Sequence, residues 1–488
     1  MRDMVVLINL DGVSCRSMAR KLRAEHIYCK ILPADVTAEE ILHQDTLGIL
    51  LAGPSTGEAV PIPHLKDMMQ LALPLLAMGD AALTLCQLVG GQLTEKAAEP
   101  GVVGVRFEGG DPIAEGMDAC ERYLPACRLM TLPESRATTV ARTDGGVIGF
   151  REIGRPAYGF AFQVEQNDTD GVHLMINFCR AVCGCTLWWS NQAFVERARD
   201  EITRIADGGE AVCALSGGVD SGVCALLGNM ALGHRLHCIF VDTGLLRQGE
   251  GDQVMAFYRD QIGLNLRRVD AREEFLTALA GVTTPAEKEQ IIFQHLRGIL
   301  NREVARLSNV TLIIQGTNYS DTLQTGVPFP LECPADTVRM IEPVRELFKD
   351  EIRRVGEELG LPPLIIQRQP FPGSGLALRI ASDVTEEKLA ILREADAIFR
   401  DEIELSGQNK RLWQYFASLA DNPLSAEAGG VIILRAVQVV DGASAVASRL
   451  PYDLLERVTL RIRAALPGVY RVMYDLTPSR NYAQVEWR

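Results

Sequence analysis

The stretch Cys213-Ala-Leu-Ser-Gly-Gly-Val-Asp-Ser-Gly222 joins an apolar run to two glycines between serines, then runs into a second apolar segment. That order predicts a strand, a glycine turn and a helix whose first N–H groups stand open, which is the local build of a phosphate-binding loop. The hydroxyls of Ser216 and Ser221 add donors at the same turn. No lysine follows the glycines, so the loop is not the G-x-x-x-x-G-K-[ST] kind that closes on β- and γ-phosphates for γ-transfer. Asp220 stands there instead. An aspartate beside phosphates repels them unless a divalent cation lies between, so Asp220 is read as a direct or water-mediated Mg²⁺ contact and the ligand as magnesium pyrophosphate.

The elements around this loop alternate. Residues 1–190 alternate short Val/Ile/Leu-rich runs ("MVVLINL", "TLGILLAG", "LALPLLAMG") with polar or helical stretches, the pattern of an α/β domain on a mostly parallel sheet. A helical segment from Asn191 leads into a second alternating unit. There "RLHCIFVDTG", "NLRRVDA" and "VTLIIQGTNYSD" read as strands, and "GVCALLGNMALG" and "GDQVMAFYRDQIG" as helices. Near-continuously apolar strands separated by helices predict a doubly wound sheet, which binds ligands at the carboxyl ends of its strands. Past Ile380 the pattern changes to a long helix ("VTEEKLAILREADAIFRDEIELSG"), a strand, a helix and a strand, a small α+β module.

With 488 residues the chain has room for two to four domains at about 100 to 200 residues each. A net charge of −14 gives no polyelectrolyte patch for nucleic acid, so a small molecule or a protein is the expected partner. The N-terminus lacks a basic start and long apolar core, and no run of about 18 apolar residues predicts a membrane span. The twelve cysteines lie mostly in apolar runs and form no paired C-x-x-C motifs. They are expected to be buried reduced thiols of a cytoplasmic protein.

"SGGVDS" resembles the pyrophosphate loop of the N-type ATP pyrophosphatases, which cleave ATP between the α and β phosphates to adenylate a substrate. "CIFVDTGLLRQGEGDQVM", "QGTNYSD", "IEPVRELFKDEIRRVGEELGLP", "RQPFPGSGLALRI" and "RLPYDLLERV" are similar, in order and spacing, to the GMP synthetase family, and the resemblance spans essentially the whole chain. It implies a class I amidotransferase-like domain at 1–190, an ATP-pyrophosphatase domain at 191–380 and a small α+β dimerisation domain at 381–488, hence a homodimer. The implied reaction uses ATP and Mg²⁺ to adenylate the C2 oxygen of xanthosine monophosphate, after which ammonia displaces AMP to give GMP. On that resemblance Ser216, Gly217, Gly218, Val219, Asp220, Ser221 and Gly222 hold ATP, and Asp242 and Gly244 lie near the adenosine. Gly316, Thr317, Asp321 and Lys349 complete the site, with Asp220 and Asp321 at the metal and Asp220 and Lys349 as the catalytic pair. Lys349 then supplies, from elsewhere in the chain, the cation the loop lacks.

The chain also departs from the family's pattern. The family's P-V-L-G-I-C-Y-G-M-Q aligns with Pro74–Leu83, which puts Gly79 at the cysteine nucleophile. G-V-Q-F-H-P-E aligns with Gly159–Glu165, so Gln163 replaces the base and only Glu165 remains. The oxyanion loop S-G-G-P is shortened to Ala52-Gly-Pro54. Glycine cannot be acylated and glutamine cannot take a proton near neutral pH, so no glutaminase activity is expected and ammonia comes free or from a separate glutaminase. On the acceptor side E-K-R-K-I-I-G becomes Glu287-Lys-Glu-Gln-Ile-Ile-Phe293, with two cations lost, while Arg480 and Glu486 stand in the C-terminal acceptor-binding motif. A phosphate monoester needs cations to be gripped. A paralogue that adenylates another acceptor, or a non-catalytic ATP-binding relative, therefore stays open beside the synthetase reading.

Overall fold

The computed structural model describes residues 3–95, 99–117, 119–124, 127–162, 169–322, 338–421, 430–439 and 445–479. The chain divides into two compact units, Met1–Phe194 and Val195–Arg488.

In the first unit the apolar runs become a parallel array in the order Cys29–Pro33, Val5–Asn9, Gly48–Ala52, Leu75–Met78, Ala157–Phe160. The strand Gly48–Ala52 is buried along its whole length, as a strand covered on both faces must be. The same sheet continues beyond Ala157–Phe160 as antiparallel strands Gly146–Glu152, Ala137–Thr143, Gly101–Phe107 and Cys120–Leu124. Those strands are less uniformly buried: Gly101–Phe107 buries only Val105, and Ala137–Thr143 and Gly146–Glu152 each bury three residues of seven. Gly149 and Gly159 sit opposite Phe160 and Phe150 across this junction; a Cβ on Gly159 would lie 2.4 Å from the Phe150 ring.

In the second unit five strands are all parallel, in the order Leu266–Asp270, Leu236–Asp242, Glu210–Ala214, Val310–Ile314, Arg339–Ile341. The chain builds outward from Glu210–Ala214 in one direction, then returns to build on its other side. The strand order thus reverses between Glu210–Ala214 and Val310–Ile314, and the loops leaving those two strands face the crevice where such sheets bind ligands. Beyond it, helix Glu386–Leu405 starts at Thr385, whose hydroxyl accepts from the Lys388 N–H at 3.2 Å. This helix packs on the strand Gln414–Asp421 and on helix Tyr452–Ala465. The long strand Gly430–Val439 pairs with Gln414–Asp421 on one side and with Ala445–Ala447 and Val469–Tyr474 on the other. One apolar core runs from Val212 and Ile313 through Leu376 and Phe399 to Leu454 and Val458.

Lys288 ties part of this core together. It is fully buried, and its ammonium donates to the carbonyls of Ile380 at 2.7 Å, Ser382 at 2.5 Å and Ala377 at 3.3 Å. Burial pulls its pKa from 10.5 down to about 8, outweighing the attraction of Asp383. Between those values the unfolded chain binds more protons than the folded one, so this lysine's contribution to stability rises with pH from about 8 to 10.5. The melting temperature of the wild type, less that of Lys288→Met, is expected to grow across that window. A difference that is flat from pH 7.5 to 10.5 would contradict it.

Candidate active site

The strand Glu210–Ala214 ends at the loop Leu215–Gly218, and helix Val219–Leu232 begins directly behind it. Gly217 has φ +78°, a left-handed conformation that glycine adopts without strain. Ser221 Oγ accepts from the Ser216 N–H at 3.1 Å, lies 3.0 Å from Ser216 Oγ and donates to the Gly218 carbonyl at 3.2 Å. The two serines therefore brace the turn as well as lining it. Val219 and Gly222 face the interior: Val219 is 5% exposed, and a Cβ on Gly222 would lie 2.2 Å from the Tyr258 hydroxyl.

The loop after the neighbouring strand, Gln315–Asn318, closes on this turn. A Cβ on Gly316 would stand 2.8 Å from the Ser221 nitrogen and 3.0 Å from the Asp220 carbonyl carbon, so only glycine lets the two loops approach. Thr317 Oγ1 accepts from Gln315 Nε2 at 3.1 Å. Asn318 Nδ2 reaches Asp220 Oδ2 at 3.4 Å, and its own N–H donates to Asp321 Oδ2 at 3.0 Å. Lys349 is the first residue of helix Lys349–Glu358. That helix start is held by the buried Phe348 ring, 5.1 Å from Tyr319 in an edge-to-face contact, and by the Phe348 N–H bonded to Glu351 Oε2 at 2.8 Å. Lys349 Nζ lies 2.5 Å from Asp220 Oδ2. Sequence segments 216–222, 316–321 and 349 thus meet at one place, with Asp220 at its centre.

The other oxygen, Asp220 Oδ1, is buried and has no hydrogen-bond partner. A buried carboxylate oxygen left open among donors suits a cation delivered with a phosphate. Among the described residues no three His, Cys, Asp or Glu side chains converge as a metal cage. Mg²⁺ held by one or two carboxylates and the substrate's own phosphates needs none. Burial raises the Asp321 carboxyl above its ordinary value. Asp242 turns inward: Oδ2 takes Arg268 Nη2 at 2.6 Å and Oδ1 takes the Gly244 N–H at 3.1 Å. It shapes the turn at Gly244, whose φ is +71°, at the carboxyl end of the adjacent strand.

A profile described as NAD synthase matches residues 192–400, and one described as GMP synthase C terminal domain matches residues 401–487. A protein named GMP synthase [glutamine-hydrolyzing] from Caldicellulosiruptor saccharolyticus is 37% identical over 514 residues, covering 99% of each chain. Proteins of the same name from Clostridium tetani and Clostridium perfringens are 35% and 36% identical, each covering the whole of this chain. The chain belongs to the GMP synthase family. It is a ligase of the GMP synthase type, with an ATP-pyrophosphatase domain.

Against that family the first unit is informative at Gly79. The strand Leu75–Met78 turns sharply at Gly79, φ 64° and ψ −136°, into helix Asp80–Leu88. This is the strand-turn-helix elbow that elsewhere lifts a nucleophile, and the N–H of the next residue then serves an oxyanion hole. Here Asp80 N–H donates to the Pro54 carbonyl at 2.8 Å, and Gly79 N–H to Phe160 and Phe162 carbonyls at 2.9 and 3.1 Å. The Asp80 carboxylate, 2% exposed, accepts from Thr56 N–H at 2.7 Å, Thr56 Oγ1 at 2.6 Å and Gly57 N–H at 3.0 Å. The donors an oxyanion would use are already bonded within the protein. Cys86 is fully buried and burial pushes its thiol up to about 11, so it offers no thiolate. Gln163, Glu165, Arg480 and Glu486 lie outside the described residues.

Sequence reasoning did not find Asp80, Asn318 or the structural use of Lys288. Asp80 had a signal: an acid immediately after Gly79, where the strand Leu75–Met78 turns into a helix. Lys288, the one cation retained in Glu287–Phe293, is spent on carbonyls of the core. Phe293, at the family's glycine, stands 3.3 Å from where a Cβ on Gly373 would be.

Proposed function

We propose that the protein adenylates xanthosine monophosphate with ATP and aminates the adduct to GMP with free ammonia, releasing AMP and pyrophosphate. The observation that carries the proposal is the convergence of the Ser216–Ser221 loop, Asn318 and Lys349 on Asp220. In this reading the loop amides and serine hydroxyls receive the β- and γ-phosphates at the start of helix Val219–Leu232. Bound Mg²⁺ would neutralise charge on the leaving pyrophosphate, with Asp220 Oδ1 as its protein contact and Asp321 behind it. Lys349, now paired with Asp220, supplies a second cation at the same place. Holding the phosphates in line and meeting developing charge with fixed groups accounts for most of what such a site must do.

The choice of free ammonia over glutamine is supported by two features of the first unit. Gly79 has no side chain to acylate, and the Asp80 N–H, the donor such an elbow offers an oxyanion, is bonded to the Pro54 carbonyl at 2.8 Å. Purified protein is expected to release no glutamate from glutamine, with or without ATP and acceptor. Glutamate release that disappears in Cys86→Ser would overturn this part alone.

The second reading, an adenylating enzyme for another acceptor, is favoured by two particulars. Lys288 faces the core rather than a phosphate, and Phe293 crowds Gly373. Release of AMP dependent on xanthosine monophosphate and ammonium separates the two. AMP formed only with some other compound would select the second. We read the C-terminal module, which exposes Tyr452 and Leu460 on helix Tyr452–Ala465 and Met473 on strand Val469–Tyr474, as the contact of a homodimer.

A further inference from the structure

The peptide between Gly217 and Gly218 has no Cβ on either side to resist rotation of its plane. In a trans peptide the carbonyl and the N–H point in opposite directions. Whatever holds the Gly217 oxygen therefore decides where the Gly218 N–H points. Arg368, from the segment Arg368-Gln-Pro-Phe-Pro-Gly-Ser374, donates from Nη1 to that oxygen at 3.0 Å. A Cβ on Gly217 would lie 2.6 Å from Val254 Cγ2 and 3.4 Å from Arg368 Nη1, so the guanidinium stands directly over the left-handed residue.

The arginine is itself fixed. Its Nη2 pairs with the Glu250 carboxylate, and Glu250 Oε2 also accepts the Arg247 N–H at 3.0 Å. The guanidinium lies 5.6 Å from the Phe371 ring centroid, which Arg247 approaches at 4.4 Å. Arg368 is 19% exposed and Glu250 10%, so water competes little for these bonds. Burial lowers the Arg368 pKa from 12.5 to about 10, which leaves it protonated at neutral pH.

We propose that Arg368 is a positioning residue for the pyrophosphate loop, holding the Gly217–Gly218 peptide so that the Gly218 N–H, which donates to Ser216 Oγ at 3.3 Å, stays on the side of the loop hydroxyls that receives the β- and γ-phosphates of a nucleoside triphosphate. It acts through the peptide and does not touch the phosphates. The inference rests on the reading of Ser216–Ser221 as the ATP loop. Without the arginine the peptide flips readily and turns a carbonyl oxygen toward the anion.

Binding of magnesium pyrophosphate, measured by calorimetry on the full-length protein, does not depend on which acceptor the enzyme uses. Arg368→Met is expected to weaken it about tenfold or more, the scale of one hydrogen bond from a charged donor. The KM for ATP should rise by a similar factor while the KM for the acceptor holds. Arg368→Lys keeps the charge and one donor and is expected to recover most of the loss. A brace important only for folding would lower the melting temperature of Arg368→Met and leave the pyrophosphate affinity of the folded fraction unchanged, which overturns the inference. If Arg368→Met does not fold, an unchanged affinity in the shorter, uncharged Arg368→Gln does the same. Wild-type protein that fails to bind magnesium pyrophosphate would instead remove the ATP-loop reading, and this inference with it.

Discussion

Asp220→Asn is expected to lower AMP formation on the order of 100-fold, the cost of losing the carboxylate that would hold Mg²⁺ on the reacting phosphates. The substitution preserves shape and can still accept from Lys349 and Asn318, so the loop geometry of 216–221 survives. What it removes is the negative charge behind Oδ1, the buried oxygen with no partner inside the protein. The melting temperature should stay close to that of the wild type, because the Lys349 partner is 38% exposed and ion pairs of that kind contribute little to stability. A variant that keeps more than a third of the wild-type rate at saturating Mg²⁺ would show that Asp220 is not the metal contact.

Gly316→Ala should be as damaging by a different route. Its methyl would press on backbone, 2.8 Å from the Ser221 nitrogen, and backbone has no rotamer by which to move away. Either the Gln315–Asn318 loop or the start of helix Val219–Leu232 must shift, at a cost of about 1–3 kcal/mol in stability. Displacing a positioned phosphate site by about 1 Å also costs on the order of 100-fold in rate. The loss should therefore appear in pyrophosphate binding and turnover together, with Asn318 pulled from Asp220. A folded Gly316→Ala with wild-type affinity for magnesium pyrophosphate would contradict the close approach of the two loops.

Much of this site was legible because its chemistry is local. Ser216–Ser221 lies in one uninterrupted strand-loop-helix, and the order of its glycines and serines is enough to place the turn between strand Glu210–Ala214 and helix Val219–Leu232. The parallel sheet was legible for a related reason, since strands such as Gly48–Ala52, buried on both faces, leave continuous apolar runs. The antiparallel strands of the first unit leave no such runs, since Gly101–Phe107 buries only Val105, and pairings such as Arg106 with Arg142 depend on partners far apart in the chain. The inward uses of polar groups were not legible either. Nothing local says that Lys288 will bond three carbonyls some 90 residues away, or that Arg368 will cross to Gly217. Asp80 belongs with these: its bonds to Thr56 and Gly57 exist only because the sheet brings the Ala52–Pro54 loop over the elbow at Gly79.

The central claim is that an ATP site built around Asp220 works beside a glutaminase fold that cannot release ammonia. It is tested most directly by incubating the purified protein with ATP, Mg²⁺ and xanthosine monophosphate, with ammonium in one sample and glutamine in another, and following AMP and GMP together. The account predicts equal amounts of AMP and GMP with ammonium and no GMP with glutamine. GMP formed from glutamine at a rate comparable to that from ammonium, in protein free of any other glutaminase, would contradict it.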